Sequence, residues 1–169
     1  MTKIKICGLM REQDIDAVNT ALPDYIGFVF ARSRRRIDEQ KAKALKARLN
    51  PAIKAVGVFV NEEMKKIIEL CNAHVIDLVQ LHGDEDEDYI KRLKNRVSNQ
   101  IIKAVRVKAP EDVKKAMGFS CDYLLLDAYH EKEYGGTGKA FDWSVIPDIN
   151  KPFFLAGGIH PGNVMQAIG

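Results

Sequence analysis

Lys3-Ile4-Lys5-Ile6-Cys7-Gly8-Leu9-Met10-Arg11, close to the N-terminus, is the stretch on which the choice of architecture turns. Strand side chains alternate with period two, so Ile4 and Ile6 fall on one face while Lys3, Lys5 and Cys7 fall on the other. A doubly wound open sheet usually places a G-x-G-x-x-G turn after its first strand. Here the chain reads Cys7-Gly8-Leu9-Met10-Arg11 instead, which favours a closed repeat of strand and helix. Cysteine on a strand commonly serves as core packing. Cys7 stands out because it ends a strand on that strand's polar face.

Outward from this stretch, runs rich in Ile, Val, Phe and Leu recur at 3–9, 25–30, 54–60, 75–82, 101–107, 123–128 and 152–156, giving seven candidate strands. Between them lie helical patterns: Ile15, Val18 and Leu22; Ala42, Leu45 and Leu49; Met64, Ile67, Ile68 and Cys71. Asp38, Asn61 and Asp84 read as helix starts, each a side-chain acceptor ahead of acidic residues, and Pro110 and Pro161 suit first-turn positions. Strand starts are 21 to 29 residues apart, one strand plus one helix per unit, which demands a parallel sheet with right-handed crossovers. Tyr25-Ile-Gly-Phe-Val-Phe30 is apolar on both faces, as a strand covered by helices should be. The expectation is α/β, a (β/α)8 TIM barrel in one domain over residues 1–169, with seven of the eight strands present.

Composition bounds the function. With 169 residues, 46% hydrophobic and 29% charged, the chain is of ordinary globular type, and its net charge of +3 is too small and dispersed to imply nucleic acid or a membrane surface. No run approaches the roughly 18 apolar residues of a membrane span, and Met1 leads directly into a strand, so a cytoplasmic location is expected. Cys7, Cys71 and Cys121 form neither a C-x-x-C pair nor a metal spacing, so reduced thiols and no metal are expected.

In such a barrel chemistry sits at the C-terminal ends of the strands. Strand one delivers Cys7, strand two the cluster Arg32-Ser33-Arg34-Arg35-Arg36, strand four Gln80-Leu81-His82-Gly83, strand six Asp127, and strand seven Ala156-Gly157-Gly158. The arginines are either a solvated loop tip or a grip on an anionic group. Gly157 and Gly158 either make a tight turn or let backbone N–H groups approach a phosphate. Asp127 reads as a cap or an acid, and His82, on the same strand face as Gln80, as a rim residue or a ligand contact. The loop Gly135-Gly136-Thr137-Gly138-Lys139 lacks the ending of a P-loop.

Taken together, Lys5-Ile6-Cys7-Gly8, Gly27-Phe28-Val29-Phe30, Ser33-Arg34-Arg35, Val56-Gly57-Val58-Phe59, Gln80-Leu81-His82-Gly83, Leu126-Asp127, Gly135-Gly136-Thr137-Gly138-Lys139-Phe141-Asp142-Trp143 and Ala156-Gly157-Gly158-Ile159 resemble the phosphoribosylanthranilate isomerases, from Lys3 to Gly169. The resemblance implies a (β/α)8 barrel of tryptophan biosynthesis that performs an Amadori rearrangement of a small phosphorylated substrate without a cofactor. It implies Cys7 as general base and Asp127 as general acid, with Arg35 on the anthranilate carboxylate and Arg34 or Arg36 as substitutes. Gln80, His82, Gly136, Gly138, Gly157 and Gly158 are the further substrate-binding candidates. Reference pKa values of about 8.5 for cysteine and 3.9 for aspartate are reversed for these roles at neutral pH, so both must be shifted.

Members of the family continue into an eighth strand carrying half of the phosphate site. Without it, strands one and seven would be open edges rich in Ile, Phe and Leu, and a monomer or homodimer, with further association if the chain ends at Gly169, is expected. Two other readings are an inactive barrel fragment that folds by self-association and another phosphate-binding barrel enzyme, such as a ribulose-phosphate epimerase or an indole-glycerol-phosphate synthase. Neither enzyme accounts for Cys7 with Asp127 as well. An RNA-binding module built on Arg32 to Arg36 is disfavoured because no aromatic platform interleaves the cluster.

Overall fold

Alternation of apolar strands with amphipathic helices produces the expected parallel sheet. The computed structural model describes residues 2–128 and 143–168. Its elements are β1 (Lys5–Cys7), α1 (Glu12–Ala21), β2 (Tyr25–Val29), α2 (Glu39–Arg48), β3 (Lys54–Phe59), α3 (Met64–Asn72), β4 (Leu78–Leu81), α4 (Glu87–Lys94), β5 (Gln100–Val107), α5 (Pro110–Ala116), β6 (Tyr123–Ala128), β7 (Phe153–Leu155) and α6 (Val164–Ile168), with a 3-10 turn over Trp143–Val145. All seven strands pair in parallel, in the order β1-β2-β3-β4-β5-β6-β7.

Two apolar clusters lie on opposite faces of this sheet. The outer one joins Ile26, Phe28, Phe59, Val79, Leu81, Ile101, Leu124 and Leu126 to helix residues such as Ile15, Leu45, Ile67, Leu70, Ile90, Leu93 and Val113. Fully burying each such side chain is worth about 1.5–3 kcal/mol, so this helix-covered layer dominates stability. The inner cluster holds Tyr25, Val56, Leu78, Ile102, Ala104 and Leu125, with Tyr123, Phe154 and Ala156 packed against it. Tyr25 of β2 and Phe154 of β7 stand at distant places in the strand order, yet their rings meet edge-on with centroids 5.3 Å apart. That contact requires the sheet to curl round its inner face, as a barrel does.

Several local expectations are corrected. Strand one is confined to Lys5–Cys7 rather than 3–9, and strand four to Leu78–Leu81 rather than 75–82. Leu22 leaves the helical face: it is the left-handed C-cap of α1 and 57% exposed. Asp38 does cap α2, accepting a bond from the Lys41 N–H at 2.8 Å, and Pro110 does open α5. Asn61 and Asp84 are not caps. α3 and α4 start later, with Glu63 and Asp86 at the N-cap, because Asn61 and Asp84 bond to each other instead. Pro161 stands in the turn ahead of α6, not in its first turn.

At either end of the strand order apolar side chains face solvent: Ile4 precedes β1 and Ile6 lies within it, Phe153 starts β7, and Met165 and Ile168 lie on α6. Among the described residues, no helix is long and apolar enough to cross a membrane.

Candidate active site

Strand alternation decides which side chains enter the barrel. Asp127 lies two residues beyond inner-face Leu125, Gln80 and His82 two and four beyond Leu78, and Arg106 two beyond Ala104. Cys7 is in register with Gly27, itself two beyond Tyr25. All five therefore converge on the inner face at the C-terminal end of the sheet.

On one flank the carboxyl is enclosed. Asp127 is 5% exposed, and its Oδ2 is 3.2 Å from His82 Nε2, a charge pair when the imidazole is protonated. His82 Nδ1 is 2.7 Å from the Gln80 side-chain amide nitrogen, so Gln80 sits behind His82, 2% exposed, and fixes its ring. Among the described residues, Gln80 Oε1 and His82 Nε2 are buried polar atoms without an aligned hydrogen-bond partner. Polar atoms in that state are expected where a ligand or a moving proton completes the network. Arg106 is the register partner of Asp127, and its Nη2 donates to Asp84 Oδ1 at 2.7 Å.

On the other flank two glycines make room for the thiol and for a guanidinium. A Cβ on Gly27 would come within 2.6 Å of Cys7 Sγ, so only a residue without a side chain lets the thiol lie across β2. Gly8 has φ +93°, the left-handed region, and a Cβ there would lie 2.6 Å from Arg35 Cδ. Arg35 takes the space: its Nη1 donates to the Cys7 carbonyl at 3.0 Å, and its N–H donates to Ser33 Oγ at 3.1 Å. Of the arginine cluster, it is Arg35 that lies beside Cys7.

Gly157 and Gly158 follow β7 with φ of 81° and 69°. Consecutive residues of positive φ turn the chain sharply, and here they do so at the mouth of the barrel. Asn163 Nδ2 donates to the Gly158 carbonyl at 2.9 Å and ties that turn to the start of α6. Gly136 and Gly138 lie outside the described residues. Among the described residues, no group of three His, Cys, Asp or Glu side chains is arranged to hold a metal ion.

The other two cysteines differ from Cys7. Both are buried in the helix-covered layer, where desolvation pushes the Cys71 thiol up to about 12 and raises that of Cys121. Arg106 is the residue the sequence reading left out. The signal was present, since Ala104 and Arg106 alternate onto the inner face at the end of strand five.

Residues 4–169 match the family model described as N-(5'phosphoribosyl)anthranilate (PRA) isomerase. The chain is 49% identical over 168 residues to the N-(5'-phosphoribosyl)anthranilate isomerase of Endomicrobium trichonymphae, covering 99% of this chain and 82% of that protein. It superposes on the crystal structure of phosphoribosyl anthranilate isomerase from Thermus thermophilus with a TM-score of 0.85 at 28% identity, covering 99% of this chain and 82% of the other. A phosphoribosyl anthranilate isomerase in complex with reduced 1-(o-carboxyphenylamino)-1-deoxyribulose 5-phosphate gives a TM-score of 0.77 at 31% identity, covering 99% and 81% of the two chains.

Proposed function

The chain belongs to the N-(5'-phosphoribosyl)anthranilate isomerase family, and from that premise we propose that Cys7 and Asp127 are the base and acid of the Amadori rearrangement of N-(5-phosphoribosyl)anthranilate to 1-(2-carboxyphenylamino)-1-deoxyribulose 5-phosphate. One observation carries the reading. A buried carboxyl and a part-exposed thiol, on different flanks, face the same barrel mouth.

The chemistry needs both groups. Asp127 donates its proton to the ring oxygen of the ribose, the bond from that oxygen to C1 breaks, and the anilino nitrogen's lone pair moves in to give an open-chain Schiff base. The Cys7 thiolate then removes the C2 proton, and the electron pair left behind neutralises the iminium as an enolamine. Protonation at C1 with loss of the C2 hydroxyl proton yields the ketone. His82, 3.2 Å from Asp127, is a second titratable group within proton-transfer reach of the acid. Arg35, seated on Gly8 beside Cys7, meets the anthranilate carboxylate, since guanidinium pairs with carboxylate through parallel hydrogen bonds. The backbone at Gly157 and Gly158 receives the phosphate.

Steady-state assays on this substrate test the assignment. Cys7→Ser and Asp127→Asn should each lower kcat at least ~100-fold, the usual scale of a general acid or base, with circular dichroism unchanged. Near-full activity in either variant would remove that residue from its role.

A further inference from the structure

Two residues outside the reaction centre form a buried ion pair of unusual connectivity. Glu85 and Lys103 are 6% and 5% exposed, and Lys103 Nζ lies 2.9 Å from Glu85 Oε2. Lys103 alternates with inner-face Ile102 and Ala104, so it points to the outer side of β5, toward the loop joining β4 to α4.

The remaining bonds of the pair end on backbone around a single residue. Lys103 Nζ donates to the Gly83 carbonyl at 2.7 Å, and Glu85 Oε2 accepts the Gly83 N–H at 2.9 Å. Glu85 Oε1 accepts the Asn61 N–H at 2.8 Å. Asn61, left-handed at φ 49°, accepts the Asp84 N–H on its Oδ1 at 2.7 Å. A Cβ on Gly83 would lie 2.3 Å from that same Oδ1. Both polar backbone groups of Gly83 are thus held by the pair. Gly83 directly follows His82, whose own N–H donates to the Phe59 carbonyl at 2.8 Å.

Stability alone does not call for such a pair, because apolar residues of similar volume commonly serve a core as well or better. What the pair adds is a fixed position for the backbone that carries His82. We infer that Glu85 and Lys103 are positioning residues for the isomerisation: by clamping Gly83 they set the placement of the His82 ring against Asp127, and so the direction in which the acid presents its proton. This rests on the acid–base reading above.

The test removes both charges together, so that neither is stranded, in a Glu85→Leu/Lys103→Met double variant of the full chain. Gly83→Ala is the second variant, which keeps the charges and displaces the contact with Asn61. In whichever variant folds, kcat should fall about 10-fold or more while KM changes less than about 3-fold, the pattern of a lost transition-state alignment. The imidazole nitrogen resonances of His82 should move as well. Wild-type kcat with unmoved His82 resonances in a folded variant would overturn the inference. Should the wild-type protein itself not isomerise the substrate, the acid–base reading falls, and the His82 resonances alone decide whether the clamp holds that ring.

Discussion

The carboxyl and thiol flanks of the site are built differently. Asp127 stands on a six-residue strand in full register with β5, 5% exposed, with His82 and Gln80 packed beside it and the Glu85–Lys103 pair fixing the loop that follows His82. Cys7 ends a three-residue strand whose central residue, Ile6, is 40% exposed and whose preceding residue, Ile4, is 55% exposed. Its surroundings are defined by what two glycines leave open. The carboxyl is held by a hydrogen-bonded scaffold and the thiol by space. In the roles proposed for them, a carboxyl that delivers a proton to one ring oxygen gains from fixed direction, whereas a thiolate needs access to carbon and room to move.

Alkylation should separate the three thiols most sharply. Iodoacetamide on the folded protein should add one group, at Cys7, and abolish activity, while Cys71 and Cys121 react only after unfolding, because burial holds their thiols protonated. Intact mass before and after denaturation checks it. Modification of Cys71 or Cys121 ahead of Cys7 would contradict the contrast.

Gly27→Ala probes the space itself. Its Cβ collides with Cys7 Sγ, so kcat should fall about 10-fold or more, with a stability loss of about 1–3 kcal/mol from overpacking, read by assay and urea unfolding. Arg35→Ala should raise KM about 10-fold, the loss of one charge-assisted pair, and leave the unfolding midpoint in place. Arg34→Ala is the control. If Arg34→Ala carries the KM effect instead, the seat on Gly8 is not the carboxylate contact.

The smallest effect lies just beyond Gly8, at the start of α1. The Arg11 guanidinium and the Met10 N–H hold the Asp14 carboxyl down at about 2, below the usual 3.8. A depressed carboxyl contributes stability above pH ~4 and loses it as pH falls through about 2. Asp14→Asn should lower Tm by roughly 2 °C at neutral pH, a small value because the pair is solvent-screened, and the difference should vanish near pH 2. Thermal melts across that range decide it.

Much of the fold was legible because it rests on local periodicity. Strands such as Tyr25–Val29 are apolar on every residue, and α3 and α4 carry their buried residues at helical spacing. Cys7, His82 and Asp127 were legible as positions too, since each stands at or near the end of a candidate strand. The loops were not. Asn61 and Asp84 look like caps in one dimension, and only the approach of two loops pairs them. Lys103 lies in an apolar strand and Glu85 in an acidic run, and neither context announces a partner 18 residues away. Arg35 could not be separated from Arg34 or Arg36 because the choice depends on the space above Gly8.

In the proposed mechanism the thiol takes the C2 proton while the enclosed carboxyl opens the ring. Proton NMR of the reaction in D2O follows that step directly. The wild-type protein should convert N-(5-phosphoribosyl)anthranilate with loss of the ribose C2 proton and entry of solvent deuterium at C1. Cys7→Ser should still bind the substrate, by saturation transfer, yet strip that proton at least ~100-fold more slowly. Loss of the C2 proton at the wild-type rate with serine at position 7 would contradict the account.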